Sequence, residues 1–280
     1  MNDNRAKLIV FSDLDGSLLD HFTYSFAAAR PVIDALAAED IPLVLASSKT
    51  CAELEETRHA LDNTHPFIVE NGAAVFIPQG YFAQPPGDAV ARGGYLVYET
   101  VPGREQWLAV LERLALQFPG QFESFHSAGI AGVMAMTGLA EHQATAASDR
   151  AYSEPVHWTG TLDERERFLH LLRGEGATVM QGGRFISVSG DCNKGRALEW
   201  LREQYRRAFS PEPVEDLAIG DSENDRAMLE AAKTALLIRS PAHDFPSLTK
   251  SGGIMRSNET GPAGWSEGVT LWLRANRISL

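Results

Sequence analysis

Cysteine is almost missing from this sequence: 280 residues hold two, Cys51 and Cys192. Two thiols exclude a disulfide framework and a cysteine-rich zinc site, and both read as reduced, structurally ordinary side chains. Any apolar run of bilayer-spanning length is also missing. Residues 1–7 carry no secretory pattern, so a reducing cytoplasm is the expected setting. Positive charge is scarce: 25 Lys and Arg stand against 37 Asp and Glu, a net charge of −12. That deficit argues against a general binder of nucleic acid or anionic membranes. An anionic small molecule remains open as a partner, because a metal ion and a few local cations can set the field inside a cleft. The chain also lacks internal repeats and low-complexity tracts.

What is present suits a folded enzyme. The 44% hydrophobic and 22% charged residues are ordinary for a globular protein, and the length allows one large or two medium domains. The organising stretch is Leu8-Ile9-Val10-Phe11-Ser12-Asp13-Leu14-Asp15-Gly16-Ser17. Its apolar run reads as a buried parallel strand, and Gly16 permits a sharp turn after it. Asp13 and Asp15 then fall past the carboxyl end of a strand, where open α/β sheets place their ligands. Two carboxylates so close repel, so either a cation binds between them or one stays protonated. Mg²⁺, which takes oxygen ligands, would serve as the cation.

The same rhythm continues. Helices are expected at 26–39 (Pro31 in the first turn) and 51–61, and strands at 41–46 and 67–69. The strand at 67–69 pairs in a hairpin with 73–77 around Asn71-Gly72. After a further stretch come helices at 194–208, 226–231 and 264–275 and strands at 216–219 and 234–238. Alternating strands and helices predict a doubly wound, Rossmann-like parallel-sheet core. Between them, roughly residues 84–189 change character and read as an α+β insertion. Its expected helices are 104–117, 140–148 and 162–173; its expected strands are 95–101, 131–136, 178–181 and 185–189. The predicted core is therefore 1–83 with 190–280, and the predicted inserted domain 84–189.

Polar clusters follow the core strands: Asp13/Asp15, Ser47/Ser48/Lys49 and Asp221/Asp225, with Lys194 at the return from the insertion. Parallel strands would bring them to one sheet edge. Carboxylates for a metal, with a hydroxyl and an ammonium for an anion, suit phosphoryl transfer.

The order and wording resemble the haloacid-dehalogenase-like phosphatases. Asp13-Leu14-Asp15-Gly16-Ser17 is similar to the first motif of that family, Ser47 to the second, Lys194 to the third, and Gly220-Asp221-Ser222-Glu223-Asn224-Asp225 to the fourth. The resemblance implies Asp13 as nucleophile, forming an aspartyl-phosphate, and Asp15 as general acid and base. It implies Mg²⁺ on the Asp13 carboxylate, the Asp15 backbone carbonyl and Asp221, with Asp225 in support. Ser47 and Lys194 would hold the phosphoryl oxygens.

The insertion follows the third strand, as in the subgroup of sugar-phosphate phosphatases with an α+β cap at that point. Finer wording resembles the mannosyl-3-phosphoglycerate phosphatases: Ser47-Ser48-Lys49-Thr50, Pro66-Phe67-Ile68-Val69-Glu70-Asn71-Gly72, Arg150-Ala151-Tyr152-Ser153-Glu154-Pro155 and Gly182-Gly183-Arg184-Phe185. This implies hydrolysis of the phosphate to give mannosylglycerate. Lys49, Arg150 and Arg184 become candidates for the substrate carboxylate, and Glu154 or Glu70 for sugar hydroxyls. A glucosyl or broader sugar-phosphate phosphatase, and a non-catalytic sugar-phosphate-binding regulator, are the alternatives.

Overall fold

The computed structural model describes residues 6–181 and 184–278. The chain divides into two compact units. One comprises the residues through Ser47, Arg58–Tyr98 and Asn193 onward; the other comprises Ser48–Thr57 and Glu99–Cys192.

The first stretch of chain supplies β1 (Lys7–Ser12), α1 (Arg30–Ala38), β2 (Leu43–Ala46), α2 (Cys51–Ala60), β3 (Phe67–Val69), β4 (Ala74–Pro78), β5 (Val90–Arg92) and β6 (Tyr95–Glu99). Then come α3 (Glu105–Ala115), β7 (Phe122–Ser124), α4 (Phe125–Thr137), α5 (Glu141–Ser148), β8 (Glu154–Trp158), α6 (Leu162–Gly174), β9 (Thr178–Gln181) and β10 (Ile186–Ser189). The chain closes with α7 (Lys194–Phe209), β11 (Val214–Gly220), α8 (Arg226–Ala231), β12 (Thr234–Arg239), β13 (Ile254–Thr260) and α9 (Gly261–Ala275).

The first unit is built on a nine-stranded sheet in the order β13-β12-β11-β1-β2-β3-β4-β6-β5. Pairing is parallel from β13 through β3 and antiparallel between β3 and β4 and between β5 and β6. The central strand β1 is apolar on both faces because both are covered. Ile9 and Phe11 pack in one buried cluster with Ala197, Leu198 and Leu201 of α7 and Met228 and Leu229 of α8. The apolar positions of α7 recur at helical spacing, so one stripe of it faces the sheet. Helix α1 buries Val32, Ile33 and Leu36, with Pro31 in its first turn as the sequence predicts. The α/β fold class and the hairpin around Asn71-Gly72 are both present.

The second unit carries a four-stranded antiparallel sheet, β7-β8-β10-β9. Helices α3 and α6 bury Trp107, Val110, Leu111, Leu114, Phe168, Leu169 and Leu172 against Val156, Ile186 and Val188.

Three expectations need correction. Residues 131–136, predicted as a strand, lie inside α4. The strand β6, expected in the insertion, extends the large sheet beyond β4, where it covers an edge that would otherwise expose unpaired backbone. Residues 48–57 group with the insertion instead of the large sheet. Among the described residues no helix is long and apolar enough to cross a membrane.

Candidate active site

Strand register builds the site. Ser12 lies level with Ile219 of β11 on one side and with Leu45 of β2 on the other. All three strands run the same way, so Asp13, Asp221 and Ser47 emerge at one sheet edge. The turn after β1 is fixed by Leu19 N donating to Leu14 O at 2.8 Å and Gly16 N donating to Leu19 O at 2.9 Å. At Gly16, with φ of +82°, an added Cβ would stand 2.5 Å from an Asp221 carboxylate oxygen. Only glycine lets the Asp13–Asp15 turn approach Asp221 this closely.

Oxygens of Asp13, Asp221 and Asp225 lie within 4.8 Å of one another, and all three residues are buried. Lys194 Nζ donates to Asp13 Oδ1 at 2.5 Å and to Asp225 Oδ1 at 2.7 Å. Lys194 begins α7, where a lysine is ordinarily solvated, yet it is fully buried. Burial opposes its charge, but the two carboxylates outweigh that and raise its pKa, so it stays an ammonium. The Asp13 carboxyl is pushed well above the usual range, by burial first and then by Asp225, against the pull of Lys194. Burial and Asp225 likewise raise Asp221 to about 6. Three clustered carboxyl groups, two of them paired with one ammonium, leave an excess of acidic groups in a buried site. All the donors are oxygens, which is the donor set of a hard divalent cation.

Each residue is held from behind. Asp225 Oδ2 accepts from the backbone N–H groups of Asp221 and Ser222, both at 3.2 Å, which closes the turn after β11. Ser47 is buried at the end of β2; its N–H donates to Ile68 O at 3.0 Å and its carbonyl accepts from Asn71 N at 2.9 Å. The helix that follows is capped by Thr50 and Glu53 instead, with Thr50 N donating to Glu53 Oε2 at 2.9 Å and Glu53 N donating to Thr50 Oγ1 at 3.1 Å. Ser47 is therefore not required as the helix cap.

Sequence reasoning missed two contributors. Trp265 of α9, fully buried, donates its indole N–H to Ser12 Oγ at 2.9 Å, and Ser12 Oγ donates to Asp13 O at 2.7 Å. His243 Nε2 stands 3.5 Å from Asp221 Oδ2. No local signal marks either one: Trp265 lies 253 positions from Ser12 and meets it only through the fold.

The residues suggested for substrate recognition belong to the second unit. Glu154 is fully buried, pairs with Arg104 Nε at 2.8 Å and accepts from His126 N at 2.7 Å. Its carboxylate is thus engaged inside the insertion, unlike a solvent-facing sugar acceptor. Arg150 donates to Ser48 O at 2.8 Å and Ser153 Oγ at 3.2 Å. Arg184 is exposed and donates to the Met136 and Thr137 carbonyls at 3.2 and 3.3 Å, near the end of α4. Lys49 is half-buried. Gly182 and Gly183 of the last quoted motif lie outside the described residues.

Known proteins are similar across nearly the whole chain. A glucosyl-3-phosphoglycerate/mannosyl-3-phosphoglycerate phosphatase from Methanococcoides burtonii is 35% identical over 263 residues, 94% of this chain and 96% of that protein. A family model described as haloacid dehalogenase-like hydrolase matches residues 10–84. The chain belongs to the haloacid dehalogenase-like hydrolases. A second family model, described as sucrose-6F-phosphate phosphohydrolase, matches residues 167–272 of this hydrolase. The mannosyl-3-phosphoglycerate phosphatase of Pyrococcus furiosus is 35% identical to this hydrolase, over 84% of this chain and 93% of that one. A crystal structure of the sucrose-phosphatase from Synechocystis, in complex with sucrose and phosphate, shares the fold of this hydrolase. It does so at a TM-score of 0.60 and 13% identity, covering 98% of this chain and all of that one.

Proposed function

We propose that this hydrolase removes phosphate from mannosyl-3-phosphoglycerate, with Mg²⁺ as cofactor and mannosylglycerate as product. The observation that carries the chemistry is the buried set of Asp13, Asp221 and Asp225 around Lys194. The activities named for the relatives at 35% identity support the substrate. The pairing of glucosyl with mannosyl in one of those names favours the glucosyl compound as a second substrate. Two thiols not joined in a disulfide suit the reducing cytoplasm we assign to it.

Mg²⁺ would be held by the Asp13 and Asp221 carboxylates and the Asp15 backbone carbonyl, with Asp225 in support. When bound, such an ion supplies charge shielding between the nucleophile and the phosphoryl oxygens. Ser47 and Lys194 hold those oxygens. An oxygen of Asp13 attacks phosphorus, and the P–O bond to the leaving group breaks. Asp15 gives the departing oxygen its proton. Asp15 then takes a proton from water as that water attacks the aspartyl-phosphate, which releases inorganic phosphate and restores the Asp13 carboxylate. The second unit, Ser48–Thr57 with Glu99–Cys192, acts as the cap that reads the rest of the substrate, with Lys49 and Arg184 offered to its carboxylate.

Phosphate release with and without Mg²⁺, from the mannosyl and glucosyl compounds and a panel of simple sugar phosphates, tests this. The expected result is Mg²⁺-dependent release with the hexosyl phosphoglycerates preferred. Asp13→Asn should lose roughly a thousandfold or more in kcat and still fold, with a lowered melting temperature because Lys194 keeps Asp225 as its charged partner but loses Asp13. Broad release from the whole panel would retain the chemistry and overturn the substrate.

A further inference from the structure

The carboxyl end of α5 is tied to the backbone that follows Ser47, and every contact of the tie lies within the second unit. A helix leaves its last carbonyls without intrahelical donors and carries partial negative charge there. In α5 these carbonyls are answered one by one. Thr50 Oγ1 donates to Ala146 O at 2.8 Å, Arg150 Nη1 donates to Ala147 O at 3.4 Å, and Arg104 Nη1 donates to Ser148 O at 3.1 Å. Arg104 is held in turn by the buried Glu154. Arg150 sends Nη2 on to Ser48 O at 2.8 Å and Nε to Ser153 Oγ at 3.2 Å. Thr50 is also the cap of α2, so its hydroxyl joins the start of one helix to the end of the other.

All three nitrogens of the Arg150 guanidinium therefore face acceptors of the chain itself. A rigid planar fork used this way fixes backbone better than it reads a mobile ligand. Thr50 is uncharged and fully buried and makes the second anchor two residues along. Ser47 precedes this anchored segment by one peptide bond, and its own backbone is held on the other side by Ile68 and Asn71.

We infer that Arg150 and Thr50 are positioning residues for the phosphate site. They fix Ser48–Lys49–Thr50 from the insertion, and so set where the Ser47 hydroxyl meets the phosphoryl group. This rests on the reading above, in which Ser47 holds that group. It also replaces the expected direct role of Arg150 on the substrate carboxylate.

The experiment measures the inhibition constant of inorganic phosphate, and KM and kcat for mannosyl-3-phosphoglycerate, in the full chain with Mg²⁺. Inorganic phosphate has no carboxylate, so it separates positioning from carboxylate recognition. Arg150→Met and Thr50→Val should each raise the phosphate constant roughly three- to tenfold, the weight of about one hydrogen bond. Their double variant should raise it by less than the product of the two, because both act on one segment. Thr50→Ser, which keeps the hydroxyl, should restore the parent value. Arg150→Lys should restore part of it and serves as the reading if Arg150→Met does not fold. An unchanged phosphate constant in Arg150→Met, with KM raised for the phosphoglycerate alone, would overturn the inference. An unchanged constant in Thr50→Val would also overturn it. Ser47→Ala keeps the two levels apart: if it leaves the phosphate constant unmoved, the assignment of Ser47 fails first.

Discussion

Lys194 is the residue whose setting departs furthest from its chemistry. An ammonium with no exposed surface is stable only because Asp13 and Asp225 sit at 2.5 and 2.7 Å. Removing either partner from such a group leaves an uncompensated buried charge, which is why the set stands or falls together. These residues were legible in the sequence because their motifs occur in order. Glu154 and Arg150 were legible only as unusual residues, since nothing local shows that Arg104 and Ser48 are their partners. A second polar chain, half-buried at His65 and Tyr81 and buried at Tyr205, lies apart from the site. His65 Nδ1 meets the Tyr81 hydroxyl at 2.8 Å, and that hydroxyl meets Tyr205 at 2.9 Å. Burial, and then the Arg58 cation, lower His65 to about 4, and burial raises Tyr81 to about 12. Unfolded, the imidazole takes its proton near pH 6.5; folded, it waits until about 4. Stability should therefore fall as pH drops from about 6.5 to about 4, by at most about 3 kcal/mol from this group. Urea unfolding across that range, compared with His65→Gln, checks it: the difference between the two curves should slope only inside that window.

At the scale of elements, the expected core strands and helices held where apolar periodicity and burial agree. Helix α4 takes the place of the predicted strand at 131–136 because Ser127-Ala128-Gly129-Ile130-Ala131-Gly132 is mostly small residues without an apolar stripe, and Gly129 at φ +62° interrupts the helix. A pattern with neither period says nothing about which structure wins. β6 was placed in the wrong sheet for a different reason: a strand's sequence does not name its partner. The Glu70-Asn71-Gly72 turn shows how closely elements meet. At Gly72, φ is +95° and a Cβ would lie 2.3 Å from the Asn193 carbonyl oxygen, directly before Lys194. Gly72→Ala should cost about 2–4 kcal/mol in urea unfolding and lower activity by displacing the start of α7. Gly80→Ala, also at positive φ (+80°) but with nothing within 4 Å, should cost only about 1 kcal/mol.

At the scale of the whole molecule, the excess of carboxylate in the site is a cost of folding that a divalent ion would relieve. Mg²⁺ at a hundredfold excess over its dissociation constant should add about 2.7 kcal/mol of stability by mass action. Thermal melts with and without the ion measure it, and Asp221→Asn should remove most of the increment; equal shifts in both proteins would deny Asp221 as a ligand. The sequence by itself determined the α/β class, the order of the four motifs and the presence of an insertion, because hydrophobic period and motif spacing are local properties. Tertiary structure alone decided that Lys194 is buried between two carboxylates, that Trp265 braces Asp13 through Ser12, and that residues 48–57 pack with the insertion. Those outcomes depend on which distant segments exclude water together, and no local pattern records the partner.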